Sequence, residues 1–163
     1  MQLRALFSRL GSALWNRSRA VPRSLRALIL AAPLLAAAAL DEHDVRVTVT
    51  GLRSAKGQVL ACLTAQPRGF PDCTRDPASR HLAVPAGVTV LLDFGPVPAG
   101  RYAVSVVHDE NSNGKLDKRL LMPREGYGFS RNAPVRFGPP KFGAAAFEVA
   151  GDVTQSLRIR YIF

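Results

Sequence analysis

RYAVSVVH, residues 101–108, sets Tyr102, Val104, Val106 and His108 on one side of an extended chain and Ala103, Ser105 and Val107 on the other. Side chains of a strand alternate between faces, so this stretch predicts a strand with one face in a core. Working outward, GPVPAG (95–100) reads as a tight connection from a strand over 88–94. Further upstream, 81–84 forms a short strand closed by a Pro-Ala-Gly turn, and QVLACLTA (58–65) a strand covered on both faces. Val45, Val47 and Val49 alternate with polar residues up to Gly51. Downstream, 144–149 and 155–163 close the set, the last with Leu157, Ile159 and Tyr161 between arginines. No segment after residue 40 sustains a helical apolar period, and about seven short strands with turn residues between them predict an all-β domain, a single β-sandwich over 41–163. Residues 66–80 read as a loop rich in Pro, Gly and Asp, and 109–143 as a long loop.

The chain has 163 residues and a formal charge of +10. Six arginines and no acid lie in residues 1–40, so the rest, with 16 basic and 12 acidic residues, carries only +4. These cations are scattered rather than gathered in a stripe, which argues against nucleic acid as a partner. The leader reads as a signal peptide, residues 1–40 with a signal helix: ALILAAPLLA (27–36) follows Arg23 and Arg26, and small residues at 36–39 offer cleavage after Ala38 or Ala39. The apolar run falls short of the roughly 20 residues of a comfortable span, so no stable membrane span is expected after cleavage; an N-terminal anchor is the alternative. The stretch ahead of the apolar run is long, and Val21 is an alternative to Met1 as initiator. A periplasmic or secreted destination follows. In such an oxidising compartment Cys62 and Cys73, with ten residues between them, are expected to pair; two buried thiols are the alternative.

The sharpest chemical pattern is DENSNGKLD (109–117). Asp109, Asn111, Asn113 and Asp117 stand at positions 1, 3, 5 and 9 of a calcium loop, Gly114 at the turn and Lys115 where a backbone carbonyl would bind. Alternate oxygens would point inward around Ca2+. Leu120 replaces the usual closing Glu, Glu110 points away on alternation, and Glu125 is placed to fold back. With few charges, affinity would drop to about 0.1–1 mM. A plain turn, in which Asp and Asn bond their own backbone, fits the residues equally. His108 is a candidate ligand or base, or an edge histidine bonded to the loop. Ser105 and Ser130 lack a nucleophile-elbow context. In EGYGFS (125–130) the glycines would turn the backbone around Tyr127 and Phe129, which either line a groove or plug the end of the sandwich.

HDENSNGKLD (108–117), MPREGYGFSRNA (122–133) and GPPKFGAAAF (138–147) resemble domain-of-unknown-function family 2141, a family of exported bacterial proteins. The resemblance covers about residues 44–163. Ser112 stands where the family usually has Gly, and Arg124 where Lys is common. PAGRYAV also resembles a prealbumin-like or carboxypeptidase-regulatory-like strand, which implies an immunoglobulin/prealbumin-like sandwich. The family implies no reaction. The residues favour a non-enzymatic binding or accessory module whose ligand end is built by His108, Arg124, Glu125, Tyr127 and Phe129. Its partner would be a small molecule, glycan or protein in the envelope. The alternatives are a prealbumin-like hydrolase using His108 with Arg101 or Arg124, and a purely structural envelope component.

Overall fold

The structure, a computed structural model, describes residues 41–119 and 122–162. The expected signal peptide over 1–40 lies outside the described residues, as does Leu120. Ten strands follow in chain order: β1 (Glu42–Thr50), β2 (Gln58–Thr64), β3 (Arg80–Pro85), β4 (Thr89–Pro98), β5 (Gly100–Asp109), β6 (Lys118–Arg119), β7 (Met122–Pro123), β8 (Gly126–Phe129), β9 (Phe147–Val149) and β10 (Val153–Arg158). A 3₁₀ turn (Ser130–Asn132) and one helical turn, α1 (Phe142–Ala145), sit between β8 and β9. Among the described residues no helix is long and apolar enough to cross a membrane.

Two sheets pack together as the strand pattern requires, and the protein is all-β. One sheet has the order β10-β1-β4, with β1 parallel to β10 and antiparallel to β4. The other has the order β3-β2-β5-β8, and β9 joins the same edge of β5 further along: β8 pairs with residues 105–108 and β9 with residues 100–102. The alternation of β1 buries Val45, Val47 and Val49 completely against Val59, Val104 and Val106 of the facing sheet. β-Branched side chains suit this pleated, half-buried surface, and their removal from water is the main stabilising contribution.

The far face of β5 is covered too. Ala103 packs with Phe129, Ala133 and Ala145, and Phe70, Tyr127 and Phe142 close over them. The 66–80 loop is fastened there by the Cys62–Cys73 pair, whose Cα atoms are 6.4 Å apart. Closing a loop this short contributes roughly 3 kcal/mol in the chain-entropy model.

Three boundaries differ from the sequence reading. Residues 109–143 are not one loop, because β8 returns to pair with β5 and β6 pairs with β7. Gly126 and Gly128 do not turn the backbone: they lie in β8, where a Cβ would meet Ile159, Tyr161 or Leu157, at 2.5 Å from Ile159 Cγ2 in the case of Gly126. Ala144 and Ala145, expected in a strand, form the end of α1, and residues 95–98 extend β4 as an edge strand, where proline is tolerated.

Candidate functional site

Of the residues singled out in the sequence, His108, the 109–117 segment, Arg124 and Glu125 gather at one end of the sandwich, where β5 ends, whereas Tyr127 and Phe129 lie along β5 opposite Val107 and Ser105. His108 faces inward with 0% exposure. Its Nε2 lies 2.8 Å from the Lys56 carbonyl and its Nδ1 2.6 Å from the Tyr161 hydroxyl. A carbonyl can only accept, so Nε2 carries a proton, and in the neutral ring Nδ1 accepts from Tyr161. The Tyr161 oxygen in turn accepts the Arg53 backbone N–H at 3.0 Å. The Arg53 guanidinium stacks 4.5 Å over the Tyr161 ring and ion-pairs with Glu110, which also accepts from the Ser54 hydroxyl. Both imidazole nitrogens are therefore engaged.

Asp109 is equally buried. Its carboxylate accepts the backbone N–H of Asn113 at 3.1 Å and of Gly114 at 2.8 Å, and the Gln58 side-chain amide at 2.9 Å. Burial raises its pKa, but these donors, with the Ser112 N–H, outweigh burial and hold it below the ordinary value. Asn111 and Asn113 each turn their Oδ1 onto a backbone N–H two residues on, at 3.1 and 2.9 Å. Their amide nitrogens donate to Asp117 at 2.8 and 2.9 Å. Glu125 does fold back, 4% exposed, and its two oxygens accept the N–H groups of Glu110 and Asp117. Among the described residues no group of three or more His, Cys, Asp or Glu side chains is placed to hold a metal ion.

This geometry has the hydrogen bonds that a turn of Asp and Asn residues makes. Calcium would need rearrangement at its first position: a carboxylate has about four acceptor sites, and Asp109 already gives three of them to the N–H donors of Asn113, Gly114 and Gln58. Lys115 is exposed, as is Arg124, whose N–H bonds the Asp117 carbonyl. Phe129 is buried and Tyr127 half-buried, their rings 6.1 Å apart. The Ser105 hydroxyl donates to the Pro71 carbonyl, and Ser130 bonds Val104 and Ala145. Arg101 pairs with Glu148 at the opposite end of β5. The buried side chains of the end cap, His108, Asp109 and Glu125, thus all have hydrogen-bond partners within it.

An open surface lies elsewhere. Pro67, Phe70 and Pro71 from the 66–80 loop face Pro139, Pro140 and Phe142 across a shallow groove of about 540 Å3. Phe70 and Phe142 meet edge to face, with centroids 6.1 Å apart. Phe70 also packs against buried Phe129, so the wall rests on the domain itself. The sequence reading missed this groove. Its local signal was a phenylalanine among Pro and Gly in both loops, RGFP and GPPKFG. Only the covering of β5 brings the two together.

A family model described as an uncharacterized protein conserved in bacteria, domain-of-unknown-function family 2141, matches residues 47–156. No curated protein and no solved structure matches the chain.

Proposed function

We propose that this chain, which belongs to domain-of-unknown-function family 2141, serves outside the cytoplasm as a binding module without chemistry of its own. Its ligand surface is the groove between Phe70 and Phe142. The observation that carries this reading is the pairing of two rigid, proline-flanked aromatic loops across an open apolar surface, each anchored to the sandwich. Apolar, aromatic-lined concavities on fixed scaffolds are where ligands bind, and rigid walls reduce the ordering cost of binding. The cap at His108–Asp117 then acts as a brace. Export is supported by the arginine-flanked apolar run at 27–36 and by the Cys62–Cys73 pair, since disulfides persist mainly in oxidising compartments.

Two measurements test the reading. Expression of the full chain in a bacterial host, followed by fractionation, should yield a processed species outside the cytoplasm that begins near residue 39 or 40. Amide spectra of the labelled mature domain, titrated with a library of envelope glycans and peptides, should move first at residues 66–71 and 139–143. Retention of the unprocessed chain in the cytoplasm would remove the compartment. Shifts confined to residues 108–129 would move the ligand surface back to the cap.

A further inference from the structure

The two wall segments, 67–71 and 139–143, hold Arg68 and Lys141 and no acid. Residues 65–71 and 126–147 contain no Asp or Glu, yet hold Arg68, Arg131, Arg136 and Lys141. Arg131 donates to the Ala146 carbonyl. Arg68, Arg136 and Lys141 are exposed and form no ion pair with a carboxylate among the described residues. Lys141 lines the groove itself. Asp72, the acid next in sequence to the first wall, accepts from Thr74. Phe137, between Arg136 and the groove prolines, is fully exposed at 107%.

The lining also selects by what it lacks. Half of the lining residues are prolines, which have no N–H, and Lys141 is the one lining side chain with a polar donor. A sugar presents hydroxyls that need many directional partners. An acyl chain needs walls that enclose it, and this groove is open. An extended peptide needs neither: its proline or aromatic side chains stack on rings and prolines, as in aromatic-lined grooves that take preformed extended segments.

Resting on the groove reading above, we infer that the ligand is an extended acidic peptide segment of a partner protein. A proline or aromatic side chain stacks on the joined rings of Phe70 and Phe142, and the carboxylates of the peptide face Arg68 and Lys141. A second copy of this chain is disfavoured as the occupant, because it would bring the same cations against each other.

The test uses the mature domain and three probes: a fluorescein-labelled peptide of alternating Glu and Pro with a central Phe, the same peptide with Lys for every Glu, and phosphatidylglycerol vesicles. Dextran serves as a neutral glycan. Fluorescence anisotropy should detect the acidic peptide and not the basic one. Affinity should fall about tenfold in Phe142→Ala, as for a central aromatic anchor. It should fall about fivefold in Lys141→Glu, and several-fold between about 50 and 300 mM salt, as exposed charge pairs are screened. Lys141 is exposed, so its variant keeps the test decisive if Phe142→Ala does not fold. Equal binding of both peptides overturns the inference. So does binding of vesicles or dextran that Phe142→Ala abolishes while the acidic peptide stays unbound; the groove reading survives that result. If no probe binds in a manner that depends on Phe142 or Lys141, both fall.

Discussion

Tyr161 reaches back from beyond β10 to place its hydroxyl 2.6 Å from Nδ1 of His108, a side chain without solvent contact. The same hydroxyl takes the Arg53 N–H, so one oxygen joins the loop after β1, the end of β5 and the end of the chain. Such a buried polar chain stabilises only when every member is satisfied. Tyr161→Phe keeps the ring and removes the hydroxyl, which takes from the buried His108 Nδ1 its hydrogen-bond partner. The expected cost is about 1–3 kcal/mol, read as a lower urea midpoint at unchanged slope. A midpoint equal to wild type would mean that water replaces the hydroxyl and that the brace is not needed.

Gly128 of β8 lies against Leu157 and has the Arg158 carbonyl 3.1 Å from where a Cβ would stand. Backbone cannot move aside as a flexible side chain does. Gly128→Ala should therefore cost about 1–3 kcal/mol through overpacking. Gly151→Ala, with nothing within 4 Å, should stay within about 0.5 kcal/mol of wild type. Thermal melts of the two variants side by side decide it, and equal melting temperatures would contradict the close packing of β8 on the C-terminal segment.

Those glycines also mark where the sequence stops being readable. β1 was legible because one of its faces is dry and the other is not, so Val45, Val47 and Val49 print a period of two; β5, covered on both faces, was legible because its larger residues Val104 and Val106 alternate with the small Ala103 and Ser105. GYGF prints nothing of the kind. Its glycines answer to Leu157, Ile159 and Tyr161, far along the chain, and a local reading assigns them to a turn. The Asp and Asn spacing of 109–117 was legible as a tight turn, but not the three donors that converge on Asp109, one of them from Gln58 in β2. The groove was least visible, since each wall alone is an ordinary loop.

Ser112 holds a left-handed backbone with φ of +57°. A left-handed residue with a Cβ costs about 1–2 kcal/mol, and glycine gives back part of that relief through its freer unfolded chain. Ser112→Gly should stabilise by about 0.5 kcal/mol. Gly114→Ala, at φ of +76° with open space around it, should do the opposite by about 1 kcal/mol. Chemical denaturation of both variants gives the two signs. A destabilised Ser112→Gly would show that the serine side chain makes a contribution outweighing its backbone strain.

Acid should loosen the cap. Hydrogen bonding to Arg53 holds the Glu110 pKa below its ordinary 4.5 against the opposing effect of burial. Asp109 stays below its ordinary 3.8, its donors exceeding the effect of burial. A carboxylate with a depressed folded-state pKa contributes stability above its unfolded value, and that contribution is lost as pH falls through the folded value. Unfolding free energy should thus be level from pH 7 to near 5 and fall below pH 4.5. Arg53→Gln should remove the Glu110 share, so its curve lies lower at neutral pH and falls less steeply in acid. Parallel curves for the two proteins would show that the pair contributes nothing measurable.

Calcium is the remaining proposal for residues 109–117, and thermal melting tests it sharply. A site with a dissociation constant near 1 mM would add about 1.4 kcal/mol at 10 mM ion. For a domain of this size that is a shift of several degrees. To bind both oxygens of Asp109, the ion would have to displace N–H donors from them, and it would have to turn the Asn111 and Asn113 side chains away from Asp117. The hydrogen bonds lost offset much of what the ion gains, and only two carboxylates attract it. Melts in 10 mM CaCl2 and in chelator should therefore coincide within about 1 °C. A rise of several degrees with Ca2+, absent with Mg2+ and absent in Asp117→Asn, would mean that the loop reorganises around the ion. In that case the turn seen here is its unliganded form.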